Sequence, residues 1–191
     1  MSAPLPPIVR TISVSWAPEA AFERFTADFG RWWPVRTHSI GGERVERLVF
    51  ECRAGGRIFE QHAGGRRFAW GAVRAWDPPR RVVFTWHPAR EPASAQEVEV
   101  RFHPEGSGTR VELVSSCWEN WGRGARRARR GYDLGWGYVL NVWAGRRTAG
   151  MRVLEGIGGA LGLVQRLRGG AAAAIDKAGG EIPPIPSGDA P

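Results

Sequence analysis

Residues Glu97 to His103 alternate strictly: Val98, Val100 and Phe102 point one way, Glu97, Glu99 and Arg101 the other. After the loop PEGSG, Arg110 to Trp118 alternates again, with Val111, Leu113, Ser115 and Cys117 on the inward side. A period of two is that of a strand with one buried face, and so short a loop returns the chain antiparallel. The pattern extends upstream: Val45–Cys52, Ile58–His62, Phe68–Trp76 and Val82–Trp86 are short apolar segments. The turn signals RAGGR, AGGR and DPPRR separate them. Phe68, Trp70 and Ala72 are expected on one face. Such a meander has one wet face and one that needs a cover. From about Gly124 to Arg147 the period changes to 3.6, bringing Tyr132, Trp136, Val139, Leu140 and Trp143 to one side. A long helix laid across the sheet is the expected cover, which makes a two-layer α+β fold.

At the other end, Ile8–Trp16 reads as a strand with Ile12, Val14 and Trp16 on one face. Pro18 suits the first position of a helix. Phe22, Phe25 and Phe29 then form a short apolar stripe. The motif GRWWP ends it, because Pro34 is incompatible with a continuing helix and disfavours helical geometry at Trp33. Adjacent helical side chains diverge by about 100°. Trp32 and Trp33, standing where a helix dissolves, are therefore expected to point to different places.

A chain of 191 residues fits one domain with a tail, and ten tryptophans imply a thick core or an aromatic-lined cavity. The net charge is +8, with every basic residue an arginine except Lys177. Two distant cysteines, Cys52 and Cys117, make neither a disulfide framework nor a zinc knuckle, and a reducing cytoplasm fits them. The N-terminus shows no signal-peptide pattern, and no apolar run is long enough to span a membrane. We divide the chain into an extension over 1–7, a domain over 8–148, an extra amphipathic helix over 149–170 and a disordered tail over 171–191. The amphipathic segment carries an apolar stripe with arginines, suited to a membrane surface, its own domain or a second chain. The oligomeric state stays open, a dimer included.

Taken in order, APEAAFERF, GRWWP, VFECRAGGRIFE, AVRAWDPPRRVVFTW, VEVRFHPEGSGTRVELVSS and GYDLGWGYVL resemble the activator of heat shock protein 90 ATPase homologue family. That family lies in the SRPBCC superfamily, the START and birch-pollen-allergen helix-grip fold. The resemblance covers roughly residues 8–148. It implies a curved antiparallel sheet of six to seven strands wrapped around a long C-terminal helix, with short helices after strand 1. It also implies an apolar cavity between sheet and helix, gated by those short helices. On this reading Trp33 is the inner ring of the pair and the other ring sits near the entrance.

The set Trp33, Phe59, Trp70, Trp86, Tyr132, Trp136, Leu140 and Trp143 is expected to line that cavity and hold a small hydrophobic or amphipathic molecule. Glu60, His62 and Arg74 reach either the cavity or solvent, and one residue of register decides which. We expect them outside. If they lie inside, a cyclase- or dehydratase-like enzyme using acid–base residues is the alternative. A chaperone-interaction module is a third reading, weakened because nothing here supplies the second domain of the eukaryotic co-chaperones. His38, His62, His87 and His103 lack metal-ligand spacing, so no metal or other cofactor is expected. GIGGALG lacks the β-α-β context of a dinucleotide loop. The run RGARRARR lacks a base-reading element, so no specific nucleic acid is expected. Its arginines oppose a helix dipole, which suggests that the helix starts nearer Gly131 or that this arm has its own use.

Overall fold

The computed structural model describes residues 4–146 and Met151. The segments 149–170 and 171–191 lie outside the described residues, apart from Met151, which is buried. Seven strands form one antiparallel sheet: β1 (Ile8–Val14), β2 (Val45–Phe50), β3 (Arg57–His62), β4 (Arg67–Asp77), β5 (Arg81–Trp86), β6 (Gln96–Glu105) and β7 (Gly108–Ser116). Their order across the sheet is β1-β7-β6-β5-β4-β3-β2. Three short helices follow β1: α1 (Pro18–Thr26), α2 (Phe29–Trp32) and α3 (Val35–His38). Helix α4 (Ala125–Trp143) closes the fold. This is the α+β helix-grip arrangement, with Phe22, Phe25 and Phe29 packed between the short helices and the sheet's inner face.

The alternation of β6 and β7 holds: Val98, Val100, Phe102, Val111, Leu113 and Ser115 are all buried. The pattern fails at its end. Strand β7 stops at Ser116, Cys117 takes the left-handed φ of 60°, and the chain turns to put Trp118 into the core in its place. It fails also at Ala72. Ile58 pairs with Gly71 while Phe59 pairs with Ala69, so Trp70 is an extra residue in β4. A second irregularity lies between Val73 and Ala75. Bulges add local twist and bend a strand. Here they let β4 bury Trp70 and Val73 while Ala72 leaves that face.

At the bend, Gly71 presses against β5, where a Cβ would stand 1.7 Å from the Thr85 carbonyl oxygen. The Thr85 hydroxyl accepts the Ala72 N–H at 2.9 Å, and the His87 N–H reaches the Trp70 carbonyl at 2.7 Å.

Helix α4 begins at Ala125, earlier than the dipole argument favours, so Arg126 and Arg127 occupy its first turn. Each costs about 0.3–1 kcal/mol there. Arg129 on the same helix donates to the Pro6 and Pro7 carbonyls at 2.6 and 2.9 Å, fixing the chain before β1. Arg146, just past α4, binds the Ser13 carbonyl on β1, and Arg10 pairs with Asp133 at 2.6 Å.

Candidate functional site

The inner face of the sheet carries a contiguous cluster of rings. Trp33 contacts Trp70 and Trp86, each at 5.3 Å between centroids, and Trp136 at 6.3 Å. Trp86 links Trp70 (5.2 Å) to Trp136 (5.4 Å). The two tryptophans of GRWWP, with the end of α2 between them, stay in contact at 5.6 Å between centroids and both pack on Phe29, but they differ in depth, a correction to the expectation that they point to different places. Trp33 is the inner ring, 7% exposed, and its indole N–H donates to the His38 carbonyl at 2.8 Å. Trp32 is half-buried and donates to the Phe25 carbonyl.

The other expected residues distribute differently. Leu140 is buried in the same core. Trp143 lies with Trp16 and Phe25, at 5.2 and 5.7 Å. Tyr132 packs on Trp118 and Trp121. Phe59 is not part of the core cluster. It points to the opposite face of β3 from Ile58, under the guanidinium groups of Arg57 and Arg67 at 5.6 and 5.3 Å.

That same register carries Glu60 and His62 inward, a correction to the expectation that they face solvent. Glu60 is fully buried. Its carboxylate accepts the N–H groups of Ile40 and Gly41 at 2.8 and 2.7 Å, and its Oε1 lies 2.5 Å from His62 Nε2. Three partners offset the desolvation that burial of a carboxylate otherwise costs. His62 also rests against Phe68, with centroids 4.4 Å apart. Arg74 is exposed, as expected.

Glu60 thereby ties down a strap over residues 33–44, which links the sheet edge to α4. On its α4 side, His38 stacks on Tyr138 with centroids 4.8 Å apart and planes 6° from parallel. Ser39 Oγ closes the strap internally, donating to Val35 and accepting from Gly42. Burial pushes the His38 pKa down to about 4. Between that value and the unfolded value of about 6.5, the unfolded chain binds more protons. Stability is therefore expected to fall as pH drops from about 6.5 toward 4. Equilibrium unfolding across that range should give a shallower slope for His38→Phe, which keeps a ring but cannot titrate. His87, also shifted down by burial, leaves part of the slope in place.

Within this apolar interior several polar atoms have no hydrogen-bond partner among the described residues: Trp70 Nε1, Trp136 Nε1, Trp143 Nε1, Gln96 Oε1 and Ser115 Oγ. Gln96 stands opposite Trp86 on β6, and Ser115 opposite Val98 on β7. Buried polar groups are normally satisfied, so such a group marks water, a ligand or strain. Gln96 was missed in the sequence. It shares the parity of Val98 and Val100, so the alternation begins one residue earlier than the segment read from it. Among the described residues no cluster of His, Cys, Asp or Glu could hold a metal ion.

The sequence model of the activator of Hsp90 ATPase homolog 1-like proteins matches residues 16–142. The chain belongs to that family. Comparison with curated proteins gives no match. Among solved structures, this family member is similar to an anthrahydroquino-gamma-pyrone synthase, Txn09, with 32% identity and a TM-score of 0.53 over 77% of this chain and 100% of the other. It shares the fold of a protein from Bacillus halodurans (18% identity, TM-score 0.55, 76% of this chain and 99% of the other). It shares it also with the Aha1 dimer from Colwellia psychrerythraea (16% identity, TM-score 0.50, 75% and 100%). Among the described residues no helix is long and apolar enough to cross a membrane.

Proposed function

We propose that the chain binds a small aromatic molecule, mostly apolar but bearing carbonyl or hydroxyl groups, between the sheet and α4. The observation that carries this reading is the set of unpartnered polar atoms around Trp86: two indole donors, Trp70 and Trp136, and the acceptor Gln96 Oε1. A purely apolar ligand leaves them unsatisfied, whereas a hydroxylated quinone or pyrone offers each a partner while its rings meet the tryptophans. Affinity then comes from apolar burial and orientation from a few polar contacts. The likeness to a protein named as a synthase of an anthrahydroquinone-fused pyrone supports the same ligand class.

The test is a titration of the full chain with 1,8-dihydroxyanthraquinone, read by tryptophan fluorescence and by native mass spectrometry. Binding is expected, and Trp136→Ala should weaken it about tenfold, the equivalent of 1.4 kcal/mol. Trp16→Ala should have less effect. Equal effects, or no binding by the wild type, count against the site. Trp136→Phe separates the indole N–H from the ring.

The buried Glu60–His62 pair favours a second reading, an enzyme of cyclase type. With Glu60 fixing His62 from Nε2, the imidazole is oriented as a proton acceptor or donor. Conversion of a bound phenolic substrate that ceases in His62→Gln, with binding retained, distinguishes this reading from simple carriage.

A further inference from the structure

Helix α4 carries three features that nothing within the described molecule requires. Arg126 and Arg127 oppose the dipole of its first turn. Arg123, Arg126, Arg127 and Arg130 are exposed and have no acidic partner among the described residues. The sheet differs sharply: Arg81 meets Glu99 at 2.6 Å, Arg101 meets Glu99 at 3.0 Å and Glu112 at 3.9 Å, and Arg110 lies near both Glu105 and Glu112. Second, Leu134 is 68% exposed, more than any other large hydrophobic described. Third, Gly135 weakens the helix although a Cβ there would meet nothing within 4 Å, so internal packing does not demand it.

At about 100° per residue Arg127, Arg130 and Leu134 share one side of the helix, with Arg126 on one flank of that side and Gly135 on the opposite flank. The three follow at i, i+3 and i+7, turned away from core-facing Trp136, Leu140 and Trp143. The next residue of the stripe, Tyr138, is the one on which His38 of the strap stacks. An arginine-lined stripe with an apolar knob, flanked by a glycine that permits close approach, thus leads to the strap.

We propose that this face of α4 docks an acidic amphipathic helix of another protein, with carboxylates on Arg126, Arg127 and Arg130 and an apolar side chain against Leu134. The chemistry disfavours the other occupants. A second copy would set arginine against arginine. The chain's own 149–170 segment brings Arg152, Arg166 and Arg168 against a single Glu155. A membrane surface needs several inserted apolar side chains, and this face offers one. Arginine is also among the residues that dominate protein interfaces. The proposal does not depend on the ligand reading above.

The test uses the full chain and a fluorescein-labelled helical peptide with one leucine stripe flanked by glutamates. Its control is the same peptide with lysine for glutamate. The acidic peptide should bind at least about tenfold more tightly than its control, and the preference should vanish near 1 M salt, where the screening length is ~3 Å. Arg127→Glu with Arg130→Glu should reverse the preference. Leu134→Ser should weaken binding severalfold while retaining the charge dependence. An unchanged melting temperature in these surface variants checks the fold. Failure of the acidic peptide to bind, or binding untouched by the double reversal, overturns the proposal. So does tighter binding to phosphatidylglycerol vesicles or duplex DNA that the same reversal abolishes, since it assigns the face to phosphate.

Discussion

Gly71→Ala is expected to destabilise the protein by about 3–5 kcal/mol, a cost in the range of severe core overpacking and strain. The added methyl would stand 1.7 Å from the Thr85 carbonyl oxygen. That obstacle is backbone inside the sheet, which no rotamer change relieves. Relief requires β4 and β5 to separate, breaking the Ala72–Thr85 and His87–Trp70 hydrogen bonds. At roughly 2–4 °C per kcal/mol for a chain of this size, the melting temperature should fall by about 6–20 °C. Calorimetry or urea unfolding checks it. A loss under about 1 kcal/mol would mean that the sheet does not bend here as described. Gly135→Ala is the control: with nothing near its Cβ, it should be neutral or stabilising.

Glu60→Ala is expected to cost about 3–5 kcal/mol, because removing a fully buried carboxyl strands the donors that converge on it, each at about 1–3 kcal/mol. The Ile40 and Gly41 N–H groups and His62 Nε2 lose their common acceptor. Glu60→Gln should recover little. Its amide has one acceptor oxygen, and its NH₂ would face a backbone donor, the N–H of Ile40 or of Gly41. Hydrogen exchange gives the local readout: the Ile40 and Gly41 amides should exchange faster, while those of the β6–β7 ladder change only as much as global stability does. Wild-type protection at Ile40 and Gly41 in Glu60→Gln would show that the strap is held by other contacts.

These two positions also mark where the sequence could and could not be read. Strands β6 and β7 were legible because alternation extends over enough residues to fix a face. Helix α4 was legible through its apolar period, and Arg74 through its charge. In β3, RIFEQH offers an apolar residue to each face. Ile58 and Phe59 give opposite answers, and the tie is broken by Arg57 and Arg67 covering Phe59 from outside. Arg67 comes from β4, so the information is not local to β3. The Trp70 bulge is invisible for the same reason: one extra residue leaves no mark in the sequence except Gly71 beside it. The apolar period places the start of α4 near Gly124, and the helix begins at Ala125; the later start that the dipole argument left open, at stakes of tenths of a kcal/mol, is not taken. Packing of Ala128 and the contacts of Arg129 with Pro6 and Pro7 set the start instead.

Those arginine contacts have a consequence for how the protein behaves in concentrated solution. Among the described residues strand β1 is the last at one end of the sheet, and its outer side is a template for adding another chain's strand. The carbonyls that would accept such a strand are partly taken: Ser13 by Arg146, Val9 by the Arg10 guanidinium, and Pro6 and Pro7 just ahead by Arg129. The two prolines themselves lack N–H donors. Guanidinium groups from the long helix, from just beyond it and from β1 itself thus blunt this edge against self-association, a safeguard that lysine, with one compact ammonium in place of a planar fork, would supply less well.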